Sequence, residues 1–334
     1  MRSAYHNKRP HKITGAIILV VVVGLLIFGG IYADKLEHFM SDLISNMRYS
    51  GSPEITEIAD KLQLTSRGRF VFGSTNPAIE DYNEFNAHCN SHDRDTSMLG
   101  CYGNNKMYIY NVTAEELAGI KESTAAHELM HAVWDRMPES EKAELSGIIL
   151  DEYNNGEAHE RLQKELKNYD EDEIVDELHS RFATEVKKLP EKLEEHYAEY
   201  FADQDAVVTF YENYRAPFEK LESKFQELSD EMEEIKNEYD EKEAEYATRA
   251  EKFSRAADEF NSCAAELDCF PSKAAFDARH NELLAEQNAL DEIYDELSAI
   301  VDRYNSKVDE YNSNILSGEK LDNMMNSNKV EEIK

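Results

Sequence analysis

The chain has 334 residues, 31% charged and 41% hydrophobic, enough for two units that each bury a core. With 36 basic against 69 acidic residues its net charge is −33, which argues against a nucleic-acid partner, because phosphate binding needs a positive surface. Thirteen Gly and seven Pro exclude collagen-like or low-complexity sequence, and a mean hydropathy of −0.67 excludes a multi-span membrane protein.

Residues 1–12 carry Arg2, Lys8, Arg9 and Lys12 and no acid. Residues 13–33 are uncharged and apolar, 21 in a row, the length of one membrane-spanning helix. A cleaved signal peptide ending near Ala33 is the rival, but its apolar core is usually shorter, roughly 7–15 residues. The positive-inside rule predicts a single-pass cell-membrane protein with a cytoplasmic N-terminus and extracytoplasmic, extracellular-facing domains beyond Ala33. Disulfides persist on that side. Four cysteines allow three pairings, and close spacing favours Cys89–Cys101 and Cys263–Cys269. The chain contains no CxxC to suggest a cysteine zinc site.

Asp34 to Met47 reads as a juxtamembrane helix, broken by Gly51-Ser52-Pro53, and Glu54 to Leu62 as a second short helix. Arg69–Phe72 is a strand candidate. Lys106–Val112, KMYIYNV, is the best strand in the chain, alternating and rich in aromatic and β-branched residues. Asn111-Val112-Thr113 matches a glycosylation sequon, but Thr113 with Glu116 reads better as a capping box opening a helix at Ala114. A further helix is expected from about Ser123 to Arg136. Helical pattern then continues to Tyr214, with breaks near Asn154-Asn155-Gly156 and at Pro190.

After Pro217 no Gly or Pro occurs until Pro271. Apolar residues recur at 4-3 spacing from Leu221 through Phe225, Leu228, Met232, Ile235, Tyr239, Tyr246, Phe253 and Ala256 to Phe260, interrupted only by Lys242 and Arg249. A second run follows the same rule from Phe276 through His280, Leu283, Gln287, Leu290, Tyr294, Leu297, Val301, Tyr304, Val308 and Tyr311 to Ile315. A 3.5-residue period over this many heptads predicts coiled coil. The matched runs, with both late cysteines and Pro271 between them, predict one antiparallel hairpin over 213–317 rather than a parallel coil of two chains. A protein partner for the hairpin is expected, although spacer and dimerisation roles are the commoner ones. Residues 318–334 read as a disordered tail.

His127-Glu128-Leu129-Met130-His131 is an HExxH motif. Residues i and i+4 share a helix face, so both imidazoles can bind one Zn2+. Glu128 stands about 100° around the helix and can accept a proton from zinc-activated water. The rival reading is a pair of hydrogen-bonded core histidines, but two His and a Glu buried together are costly without a metal. A catalytic zinc needs a third protein ligand. Glu177 and Glu195 both lie downstream with a small residue three positions on. Glu177 is at the edge of the apolar face formed by Ile174, Val175, Leu178, Phe182 and Val186, whereas Glu195 points away from that of its own segment. Glu177 is therefore favoured.

HELMH followed by a helix carrying Glu-x-x-Ser resembles the gluzincin group of zinc metallopeptidases. The stretch from Glu57 to Ala206 also looks like a set of uncharacterised membrane-anchored bacterial proteins, through LTSRGRFVFGSTNP, LGCYGNNKMYIYNVT, TAAHELMHAVWDR, ELHSRFATEVKKLP and LEEHYAEYFAD. The resemblance implies zinc on His127, His131 and Glu177, with Glu128 as general base. It also implies that Lys106–Val112 is an edge strand whose Tyr108, Ile109 and Tyr110 pair with a peptide or protein substrate. A Tyr or His would stabilise the oxyanion, and His179, His196 and Tyr197 are all candidates.

The sequence thus predicts a mainly α protein with a small β-sheet. Residues 1–12 form a basic tail, 13–33 a transmembrane helix, 34–212 a zincin-like metallopeptidase domain, 213–317 the coiled-coil hairpin and 318–334 the tail. Two functions from different classes fit: a membrane-anchored zinc metallopeptidase, or a non-catalytic structural or adhesion protein with a structural or degenerate metal site. A cell-wall amidase would share the peptidase site. Glu128 separates hydrolysis from the structural reading, since a structural zinc has no use for it.

Overall fold

Polar caps open the early helices. The computed structural model describes residues 40–89, 98–156, 158–167 and 171–325, and in it helix α1 covers 40–48. Ser52 accepts a hydrogen bond from the Ile55 amide and Pro53 occupies the first turn of α2 (Pro53–Lys61). Thr65 caps α3 (Ser66–Ser74) through the Gly68 amide. The strand expected at Arg69–Phe72 is therefore helical. Val71 and Phe72 are buried, and Gly68 lies so close to Tyr200 that a Cβ there would collide with its carbonyl oxygen. The pattern of four residues was too short to separate a buried helix turn from a strand.

Strands β1 (Ala78–Glu80), β2 (Gly100–Gly103) and β3 (Lys106–Tyr110) form one sheet in the order β1-β3-β2. β3 runs parallel to β1 and antiparallel to β2. The β2–β3 turn is made by Asn104 and Asn105, both at positive φ, which Asn tolerates better than most residues. The expected strand at 106–112 is thus present, but it is the central strand and not an edge. Met107 and Ile109 are fully buried. Tyr108 stacks on His88, and Tyr110 touches Phe85, both on helix α4 (Tyr82–His88). The Cys89–Cys101 disulfide ties the end of α4 to β2.

Thr113 and Glu116 do not form the expected capping box. Glu115–Leu117 makes a single 3-10 turn, and helix α5 (Ile120–Arg136) starts after Gly119, whose φ is +98°. Ser123, the expected start of this helix, is a buried residue inside α5. Then follow α6 (Glu139–Asn155), α7 (His159–Glu165), α8 (Glu171–Glu185) and α9 (Glu191–Ala198). The breaks fall at Gly156 and Pro190 as the sequence suggested. Helix α5 packs on α8 on one side and on β2 and β3 on the other, with α2 and α3 also against it. Leu129, Met130 and Val133 of α5 join Leu178 and Phe182 of α8, Ile109 of β3 and Phe72 of α3 in one buried cluster.

Helices α10 (Gln204–Ala264) and α11 (Lys273–Met325) complete the chain. A first unit runs to Arg215 and takes in Met325, and a second spans Ala216–Met324. The second unit is the expected antiparallel hairpin. Its ion pairs Arg249–Glu286, Lys242–Glu296, Glu238–Arg303 and Glu231–Lys307 advance along one helix as they retreat along the other. The Cys263–Cys269 disulfide closes the turn. The seam differs in one respect. Ile293 and Ile300 are buried with Leu290 and Leu297, while Tyr294 is 63% exposed and Val301 is also exposed. Heptad spacing permits either the third or the fourth residue after each leucine, and isoleucine occupies the inner position. The tail expected from 318 is helical as far as Met325, and 326–334 lie outside the described residues.

The membrane placement is corrected. No helix among the described residues is long and apolar enough to cross a membrane, and the segment expected to do so, 13–33, lies outside them, as do 1–12 and 34–39 of the expected juxtamembrane helix. The single-pass anchor and the extracytoplasmic assignment that followed from it accordingly have no structural support.

Gly119 is the position that a side chain would disturb most at the start of α5. Its φ suits glycine, and a Cβ would stand 2.6 Å from the Phe210 carbonyl oxygen. Gly119→Ala is expected to lower unfolding free energy by about 1–3 kcal/mol. Denaturant melts test this, and an unchanged midpoint would refute it.

Candidate metal centre

Helix α5 presents His127 and His131 one turn apart, and α8 crosses it to bring Glu177 to the same point. The two Nε2 atoms are 3.1 Å apart, and Glu177 Oε2 lies 3.7 Å from His127 Nε2 and 3.6 Å from His131 Nε2. A tetrahedral zinc with N and O ligands at 2.0–2.2 Å separates its donor atoms by roughly 3.3–3.6 Å. The three atoms therefore already stand close to the spacing one ion requires. Two imidazole nitrogens and one carboxylate oxygen are also a donor set suited to zinc. Glu195, the rival third ligand, is exposed on α9 and is not part of the group.

Surrounding residues orient two of the three donors. Asp176 Oδ1 is 2.9 Å from His131 Nδ1, which directs Nε2 to the shared point. Arg181 Nε donates to Glu177 Oε1 at 2.7 Å. The far end of α5 is clamped by Arg136, which donates to Asp42 at 2.8 and 2.9 Å and to the Tyr102 hydroxyl at 2.9 Å. Asp176 and Arg181 escaped the sequence reading. Arg181 carried a local signal, since it follows Glu177 by four residues on one helix. Asp176 carried none beyond adjacency to the ligand.

Glu128 is buried at 7% exposure. Burial raises its pKa, against the pull of His131 and His127. A Cβ at Gly100 of β2 would lie 2.8 Å from its Cγ and Oε1, so the glycine makes room for this carboxylate. Burial also acts to raise the pKa of Glu177, but the His127 imidazole and the Arg181 guanidinium override it and hold the carboxyl far below the usual range. For His131 burial opposes protonation, yet the Asp176 bond and the nearby carboxylates push its pKa up to about 9. A metal ion on this imidazole takes the place of a proton, so binding weakens as pH falls.

The other sequence candidates lie elsewhere. Tyr108 and Tyr110 face α4, and Ile109 is fully buried. His179 follows Glu177 by two residues and so points away from the ligand group. Its Nε2 is 2.9 Å from His196 Nε2, Trp134 packs on its ring, and Tyr197 donates its hydroxyl to the His179 carbonyl at 2.9 Å. These three candidates for oxyanion stabilisation form a buried link between α8 and α9.

About one zinc per chain is expected in the purified protein, retained in Glu195→Ala and lost in Glu177→Ala. Metal analysis of the three proteins decides between the ligands, and loss in Glu195→Ala alone would reverse the assignment.

The buried histidine pair sets a second expectation. Burial, with Arg67 nearby, lowers the His196 pKa to about 4, and burial holds His179 well below its usual value. Unfolded histidine takes up a proton near pH 6.5. Stability from His196 is thus fully present above about pH 6.5 and is lost towards pH 4, by about 1.4 kcal/mol per unit. Unfolding free energies at pH 7, 6 and 5 should fall more steeply in the parent than in His196→Gln. Parallel slopes would show that His196 is not responsible.

Compared with protein-family models, with curated proteins and with solved structures, the chain finds no match that identifies a family.

Proposed function

We propose that this chain is a zinc-dependent metallopeptidase of gluzincin type. The observation that carries the reading is the convergence of His127, His131 and Glu177 with the buried carboxylate of Glu128 next to the first histidine. Two histidines and an acid would hold the ion. When bound, zinc supplies Lewis acidity, polarising a carbonyl and making water a nucleophile near neutral pH. Glu128 takes the proton from the attacking water and passes it to the leaving amine nitrogen. Its burial suits both roles, because a carboxylate with a raised pKa is a better base and then a usable acid.

Substrate contact moves from β3 to β2. The central position of β3 leaves neither of its edges free for a peptide. Among the described residues β2 pairs on one side only, and its Gly100 abuts Glu128. An extended peptide adding to that outer edge would bring its backbone beside the base.

The structural alternative, a coiled-coil protein with a non-catalytic metal site, makes a different prediction for Glu128. Glu128→Gln should keep its zinc and lose about 10²–10⁴-fold in hydrolysis. The assay is mass-spectrometric detection of cleavage in an unbiased peptide library, run beside metal analysis. A zinc-loaded parent that cleaves nothing beyond what Glu128→Gln cleaves would favour the structural alternative.

A further inference from the structure

The third ligand is held by a partly buried charge lattice that two histidines and a carboxylate do not need merely to meet. Arg181 Nε donates to Glu177 Oε1 at 2.7 Å, and its Nη1 donates to Glu165 Oε2 at 2.6 Å. Glu185 Oε1 lies 3.7 Å from the same guanidinium, and Glu185 Oε2 accepts from Arg161 at 2.5 Å. Arg161 in turn donates to the Tyr211 hydroxyl at 2.8 Å, on the first turns of α10. The side chains of Glu177, Glu185 and Arg181 keep only 11%, 8% and 19% of their surface exposed. Ion pairs this enclosed are poor sources of stability, because desolvation offsets the attraction. Their geometry has a more specific effect.

A carboxylate can bind a metal through one oxygen or through both. In Glu177 the two oxygens are sorted. Oε2 is the atom within 3.6–3.7 Å of the imidazole nitrogens, and Oε1 is the atom that accepts from Arg181. Arg181 is itself fixed from behind by Glu165, so it cannot follow Oε1 towards the ligand group without breaking that second bond. We propose that Arg181 is a positioning residue that restricts Glu177 to a single donor oxygen, so that a bound ion keeps one coordination position open for water and substrate. The proposal rests on the metal-centre reading above and adds to it what decides between an open and a filled site. A second carboxylate oxygen on the ion would occupy the position that a catalytic site leaves free.

Cobalt(II) replaces zinc as the probe, since its visible bands weaken when the ion gains a fifth ligand. The parent, Arg181→Met and Arg181→Lys are loaded with cobalt, and zinc affinity is measured in parallel by chelator competition. Arg181→Met should show weaker, shifted cobalt bands and a zinc affinity lowered about 10–100-fold. Arg181→Lys keeps the charge without the two-armed reach and should show the same change at smaller amplitude. If Arg181→Met does not fold, as judged by circular dichroism, the lysine variant carries the comparison. A cobalt spectrum identical to the parent's in a folded variant overturns the proposal, even if affinity drops, because Arg181 would then support the site without sorting the oxygens. A parent that binds neither cobalt nor zinc overturns the metal centre itself.

Discussion

Two imidazoles and two carboxylates are held together at one helix–helix contact, and the rest of the first unit is arranged around the cost of keeping them there. Ionised groups withdrawn from water must be paired or must bind an ion. His127, Glu128, His131 and Glu177 meet where α5 crosses α8. Arg181 and Asp176 each take up one of them, yet Glu128 keeps a raised pKa in the middle. A dication at the donor atoms would compensate the remaining negative charge. The glycines on either side serve the same end: Gly119 starts α5 in the left-handed region, and Gly100 leaves space for Glu128.

Much of this was legible in the sequence because it is periodic. The HExxH spacing fixed two donors on one face of a helix, and helical phase alone preferred Glu177 over the exposed Glu195. The two disulfides followed from short spacing, and the hairpin from sustained heptads. In each case the information is local, with partners either on one helix or a short loop apart.

What the sequence did not disclose is tertiary in origin. KMYIYNV reads as a strand, but nothing in its alternation reveals whether neighbours flank it on one side or both; the order β1-β3-β2 is decided by Ala78–Glu80, too short to register. Arg69–Phe72 became helix because Thr65 caps it and Gly68 sits against Tyr200, a residue far along the chain. His179, His196 and Tyr197 are chemically plausible oxyanion groups whose partners turn out to be one another. The hairpin seam chose Ile293 and Ile300 over Tyr294 and Val301, a choice that heptad spacing leaves open.

The ion-pair ladder of the hairpin also has a bearing on how that unit folds. Its contacts are nested about the turn that Cys263–Cys269 closes. Arg249 and Glu286 are 37 residues apart in sequence, and Glu238 and Arg303 are 65 apart. Once an inner pair has formed, the next closes only a small additional loop, so the entropy of each closure stays low despite the growing separation. A chain organised in this way can zip outward from its tip, in the rapid regime characteristic of local helical contacts. The first unit has no such order available: His127 and His131 lie on a helix separated from that of Glu177 by α6 and α7, and β1 pairs with β3 although β2 comes between them in sequence. The two units of one polypeptide should therefore acquire their structure at different rates, the hairpin ahead of the first unit.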